Sequence, residues 1–360
     1  MGVVSHHLLH STVLEVALRR ILPVPFQIFC GFGSVGVQIF FVISGFVIAH
    51  SLRATNISVG TAGNFILRRQ LRLDPSYWVI LILSLILTQG QRMVPAFVAP
   101  SMPDLKAIVL NVFYLQNITG AEAIVGVAWT LCLEIQFYLV MIGLLAVGRC
   151  LDKRPGPGLS GISVLLLFVT GVISLTLAPH QRVFGAWMPP FWSYFAAGAI
   201  CKWSLEKKGR GPVFLAFAAL FAAATVWHNT QEMIAGLVTV LSLYTVGRMG
   251  HLSDWLRGRL LQYLGRISYS LYLIHLPVLS LIMRGGYKLT HANPWAALGW
   301  FMAAAGCSIA AAHLLYIAVE RPAMRFAAGL KKRTARENGP ESASPMVDPA
   351  AGAAIYEPIR

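Results

Sequence analysis

Three histidines open this chain. His6, His7 and His10 stand in or beside its first apolar run, and an imidazole that titrates near neutrality can take a proton from a hydroxyl. In a membrane helix the same ring also serves to hydrogen-bond a neighbour, and spacing alone does not choose among the three. Further on, Arg68, Arg69 and Arg72 form R-R-x-x-R. Positions 69 and 72 share a helical face, so their guanidiniums can converge on one phosphate group, and the cluster also anchors the topology. Pro75 is expected to break or restart the helix there. Glu134 lies inside an apolar run with no Lys or Arg within a turn. Its carboxyl must be protonated, paired from another helix, or turned to a water-filled cavity. Tyr138, four residues on, shares its face. A purely structural role for this pair stays open beside a catalytic one. Ser268, Tyr272 and His275 make a polar stripe on another apolar helix, with Pro277 freeing the carbonyl near Leu273. Glu320-Arg321-Pro322, with Arg325, reads as a cap and anchor at the end of the last span.

These residues need elements that hold them within a membrane. The 360 residues are 56% hydrophobic and 12% charged, with a mean hydropathy of +0.66. Soluble domains carry about 25% charged residues, so the composition excludes an ordinary globular protein. The net charge of +15 sits mostly in short segments between apolar runs. That is the pattern of cytoplasmic loops rather than of nucleic-acid binding. Cys30, Cys132, Cys150, Cys201 and Cys307 show no C-x-x-C spacing, which implies neither a disulfide framework nor a metal site. No signal peptide with a cleavage site is visible.

A span needs about twenty apolar residues. Candidates are 3–19, 34–52, 76–90, 128–148, 160–178, 188–203, 212–228, 232–248, 263–283 and 296–318. Basic residues crowd the connections holding Arg53, Arg68, Arg69 and Arg72, then Arg149–Arg154, Lys202–Arg210, Arg248–Arg266 and the tail from Lys331. The loops near 90–104, 179–187, 229–231 and 284–294 are poorer in Lys and Arg. The two classes alternate, giving an all-α transmembrane bundle of about ten spans with both termini cytoplasmic. The segment Asp104–Asn117 carries two Asn and is short. It reads as an interfacial or re-entrant helix on the external side, because a span there would invert every later loop. Residues 1–330 form one transmembrane domain, and 331–360, rich in Ala, Glu, Pro and Gly, read as a disordered cytoplasmic tail. No internal repeat is visible. The second span, within Gly33–Ile48, carries small residues and a Ser44-Gly45 pair where lipid alone would accept Leu or Ile, which predicts close helix approach there. The first span starts in apolar sequence and meets Glu15, Arg19 and Arg20 early, which predicts a reading frame continuing upstream.

Taken together, the segments resemble the acyltransferase-3 family of bacterial membrane acyltransferases, in particular its exopolysaccharide-production branch. The likeness lies in G-V-x-I-F-F-V-I-S-G-F at 36–46, F-x-x-R-R-x-x-R-x-x-P-x-Y-W at 65–78 and W-T-L-x-x-E-x-x-F-Y at 129–138, then G-x-x-S-Y-x-L-Y-L-x-H-x-P at 265–277 and E-R-P at 320–322. The resemblance implies transfer of an acyl group, usually acetyl, from cytoplasmic acyl-CoA to a hydroxyl of a surface saccharide or its lipid-linked precursor. It also implies residence in the bacterial inner membrane. The family's essential histidine stands in a V-V-x-x-H context, which Val3-Val4-Ser5-His6-His7 fits and which favours His7. The family's R-x-x-R, proposed to hold the coenzyme, maps onto Arg69 and Arg72. Two departures stand out. Gln38 occupies the place of an acid in the family's G-V-D-x-F-F, and the arginine-containing motif at the start of the family's first span is absent.

The expected chemistry is then direct transfer. Arg69 and Arg72, with Arg68, hold the phosphates of acyl-CoA, the co-substrate, with no bound cofactor and no metal. His7 is the general base on the acceptor hydroxyl. Glu134 belongs to the same site, and Ser44, Tyr138 or the backbone at Gly45 stabilises the oxyanion. Two rivals predict otherwise. A glycan transporter or flippase would show inverted repeats and no acyl-CoA dependence, and an inactive relative would lack turnover.

Overall fold

The computed structural model describes residues 2–10, 13–52, 59–93, 101–152, 159–177, 187–254 and 256–337, with the backbone alone at 59 and 330–337. Arg53, Arg154, the loop 179–186 and the tail beyond 337 lie outside the described residues. Among the described residues there is no strand, and the protein is an all-α membrane helix bundle. In chain order the helices that bear on the site begin with α1 (Gly2–His10), α2 (Glu15–Ile21), α3 (Val24–Gly31), α4 (Gly36–Leu52) and α5 (Val59–Arg92). They continue with α6 (Leu105–Val112), α7 (Gln116–Thr119), α8 (Trp129–Leu151), α9 (Gly161–Leu177), α10 (Trp192–Glu206), α11 (Gly211–His228) and α12 (Gln231–Arg248). The last four are α13 (Arg259–Arg266), α14 (Ser268–Thr290), α15 (Pro294–Leu315) and α16 (Arg321–Glu337).

Five stretches are long and apolar enough to cross a bilayer: Val24–Leu52, Gly60–Arg92, Trp129–Leu151, Gly211–His228 and Pro294–Gly329. A sixth counts if α13 and α14, bent by 69° where they meet, form one span. By length and composition the described helices therefore do not reach the expected ten. The stretch 3–19 is divided between α1 and α2 rather than running as one helix. The stretch 188–203 is a 3-10 turn followed by the 15 residues of α10, and α9 is 17 residues long.

The expectation at Pro75 is corrected. Pro75 lies inside the unbroken 34-residue α5. A proline forfeits one backbone bond and strains the turn before it, yet packing on both sides holds this helix: Tyr269 donates to the Leu73 carbonyl at 2.7 Å, and Tyr77 donates to the Asn111 carbonyl at 2.8 Å. Pro277 sits within α14, as the span 263–283 expects, and that span is bent at Ile267, where α13 meets α14. The last helix also continues past Pro322. Tyr316–Glu320 form a π-helical turn between α15 and α16, and α16 carries the chain to Glu337, so residues 331–337 of the expected disordered tail are helical.

The segment at 104–117 is too short to cross. Asp104 caps α6 by accepting from Ala107 N at 2.7 Å. Buried Asn111 donates to the carbonyls of Ala107 and Glu122, both at 2.8 Å, and accepts from Ile124 N at 3.0 Å. Its amide closes the hairpin on itself. Tyr114 donates to Asp74 at 2.8 Å, and the Tyr114 ring stacks on Tyr77 at 4.5 Å. These contacts tie the segment to α5 on either side of Pro75.

Glycine decides where helices touch. A Cβ on Gly45 would run into the carbonyl oxygen of Phe195, and one on Gly198 into that of Val42, so α4 and α10 meet backbone to backbone. This is the close approach that the Ser44-Gly45 pair predicts. Gly33 does the same against the Gly2 carbonyl of α1, and Gly36 lies against the Val3 side chain. The buried side chains gather into two clusters. One surrounds α4, α8 and α10 through residues such as Phe41, Phe137 and Phe195. The other joins α1, α14 and α15 through Leu9, Leu273 and Ala304.

Candidate active site

A cavity of about 340 Å³ lies at the seam of the two clusters. Val37, Leu73 and Tyr138 line it from one, and Val4, Leu131 and Leu271 from the other. Along α4 it extends from Gly36 to Val47, about 17 Å at the helical rise per residue. Its walls are mostly apolar, and its polar groups are few: Ser44, Arg69, Arg72, Thr130, Glu134, Tyr138, Ser268, Tyr269 and Tyr272. A long apolar pocket with a handful of convergent polar groups is the form a small-molecule site takes.

Glu134 is the hub. It is 5% exposed and accepts hydrogen bonds from the Tyr138 hydroxyl on its own helix and from Ser44 Oγ on α4 at 3.4 Å. Of the three sequence-level options for this carboxyl, it is both partnered across helices and turned to a cavity. Arg69 lies over the Phe65 and Tyr138 rings at 5.5 and 5.7 Å and donates to Ser51 Oγ at 3.5 Å. These contacts fix its guanidinium beside the Glu134–Tyr138 pair. Arg72, one turn on, is exposed at the cavity wall. The two arginines share a face, as their spacing requires.

The structure does not bring every expected residue to this cavity. Arg68, half-buried, is absent from its lining. The backbone at Gly45 is inside α4, where its N–H belongs to the helical ladder, and so offers no oxyanion donor. His7 is not on the wall either. Val3 and Val4 are, which sets the half-buried His7 one turn beyond them on α1. There it faces His275 of α14, ring centroids 5.3 Å apart. His6 meets His7 edge-on at 5.5 Å and stacks on His10 at 4.7 Å.

Three residues noted in the sequence make contacts that their spacing does not foretell. Tyr272 donates to the Val127 carbonyl at 3.0 Å and pairs with Thr130 Oγ1 at 2.8 Å, tying α14 to the start of α8 at the cavity wall. Glu320, expected as a cap, is buried to 1% and accepts from Ser270 at 2.6 Å. His275 is fully buried. The polar stripe on α14 is the signal for the first and last. Nothing local marks Glu320, whose π-helical turn is a tertiary outcome. Gln38 is buried, and its Oε1 has no partner among the described residues.

Comparison with known proteins places residues 1–317 under a family described as an acyltransferase domain. The chain is similar to the acyltransferase MdmB of Streptomyces mycarofaciens, 25% identical over 332 residues, covering 82% of this chain and 81% of that protein. It is similar to nodulation protein 10 of Rhizobium leguminosarum bv. viciae, 26% identical, covering 84% and 85%. It is also similar to the exopolysaccharide production protein ExoZ of Rhizobium meliloti (strain 1021), 28% identical, covering 84% and 95%. No solved structure matches.

Proposed function

The chain belongs to the acyltransferase-3 family and is a membrane acyltransferase, and from that premise we propose that it transfers an acyl group, acetyl above all, from cytoplasmic acyl-CoA to a hydroxyl of a surface or exported saccharide or its lipid-linked precursor. One observation carries this reading: Ser44, Arg69, Arg72, Glu134 and Tyr138, drawn from three helices, converge on one long cavity whose α1 wall leads to His7. The likeness to a protein of exopolysaccharide production supports a saccharide acceptor.

In the proposed reaction Arg69 and Arg72 hold the donor's phosphates through charge-assisted hydrogen bonds, and Arg68 adds positive charge nearby. The thioester arm lies along α4. His7 takes the proton of the acceptor hydroxyl as its oxygen bonds to the acyl carbon. The carbon–sulfur bond then breaks and His7 returns the proton to the departing thiolate, so products are ester and thiol with no net proton released. Ser44 and Tyr138, both held by Glu134, are the hydroxyl donors placed to turn toward the oxyanion. The protein would sit in the inner membrane with both termini in the cytoplasm.

Replacing His7 by Ala tests the base. Acyl transfer should fall at least about a hundredfold while membrane insertion is unchanged, and retained activity would eliminate the role. In the cell, mass analysis of surface polysaccharide from a deletion strain should show loss of an acetyl-sized increment. An unchanged polysaccharide mass speaks against a saccharide acceptor.

A further inference from the structure

We propose that His275 positions His7 for proton transfer, accepting an N–H of the His7 imidazolium at its Nε2. This rests on His7 as the base. His275 Nδ1 lies 2.7 Å from the carbonyl oxygen of Tyr272 and 3.1 Å from that of Leu271. Carbonyl oxygens only accept, so in the neutral ring Nδ1 carries the proton and Nε2 holds the lone pair. The ring is fully buried, and among the described residues Nε2 has no partner.

An unpaired buried acceptor is destabilising, and the native fold keeps this one. The His7 ring is its neighbour across the helix interface, 5.3 Å away between centroids with the planes inclined by 38°. When His7 takes a proton from the acceptor hydroxyl it gains a second N–H. In the proposed arrangement His275 Nε2 is the neutral acceptor for one of these two N–H groups, held in one tautomer by the α14 backbone. A third group that orients a catalytic histidine and stabilises its imidazolium is a recurrent arrangement. Here an imidazole occupies the place of a carboxylate.

Purified protein in detergent, assayed with acetyl-CoA and a saccharide acceptor, tests the assignment. His275→Phe keeps the ring's bulk without an acceptor, whereas His275→Gln sets an amide oxygen near Nε2. The expected result is kcat lower by about tenfold or more in His275→Phe, donor KM unchanged within about twofold, and kcat largely restored in His275→Gln. Full kcat in His275→Phe, with His7→Ala inactive, overturns the proposal and leaves the base intact. So does a folded His275→Gln no faster than His275→Phe, or a loss confined to melting temperature and KM. If His275→Phe fails to fold, His275→Leu supplies the acceptor-free comparison, under the same criteria. An active His7→Ala would instead take down the base itself.

Discussion

Glu134 shows why a buried carboxyl can be retained where an apolar residue would pack more cheaply. Two hydroxyls, from Tyr138 and Ser44, end on it, and the Tyr138 ring in turn carries the Arg69 guanidinium. One side chain therefore sets the direction of three others. Glu134→Ala leaves the Tyr138 hydroxyl without its acceptor and is expected to cost about 1–3 kcal/mol in stability along with most of the turnover. Glu134→Gln keeps an acceptor oxygen and should fold normally. Comparing both variants by thermal melting and turnover separates the two contributions. Equal stability in both would mean that the hydrogen bonds contribute nothing. At this scale the sequence showed that a lone intramembrane acid needs a partner or a cavity. Spacing within α8 found one partner, Tyr138. The other, Ser44, is 90 residues away in the chain, and no local pattern couples them.

Helices bring these residues together only because small side chains let them. Gly198 has no room for a methyl group, since the Val42 carbonyl occupies the place of its Cβ. Gly198→Ala is therefore expected to push α10 off α4 and destabilise the fold by at least about 1–3 kcal/mol, read as a lower melting temperature and a loss of activity through displaced Ser44. An unchanged melting temperature would contradict the contact. Gly285, with open space around it, provides the control, and Ala there should be neutral or mildly stabilising. The sequence singled out the glycine-serine run on α4 as a close-packing helix, and Gly45 against Phe195 agrees. It misplaced one break. Pro75 looks like a helix end, yet α5 runs through it, and the 69° bend at Ile267 falls inside a stretch expected to run as one span. Tertiary contacts such as Tyr269 on the Leu73 carbonyl override the local preference that punctuates a chain read alone.

At the scale of the whole molecule, the cavity occupies the boundary between two separately packed clusters, so a ligand filling it touches both. Acetyl-CoA at about a hundred times its Kd should stabilise the folded protein by about 2.7 kcal/mol, visible as a raised melting temperature. Arg69→Ala with Arg72→Ala should abolish that shift at the same concentration. No shift in the parent protein would contradict a donor site in the cavity, and a full shift in the double variant would contradict the arginines' role. Composition and the alternation of basic loops sufficed for a helical membrane protein, since apolar runs of that length cannot be hidden in water. Motif order sufficed for the family, because each motif is a short local string. The continuity of α5 through Pro75 and the partner of each polar group were decided elsewhere. Those depend on which surfaces meet, and His7 against His275 or Ser44 against Glu134 exist only once α1, α4, α8 and α14 have packed around one cavity.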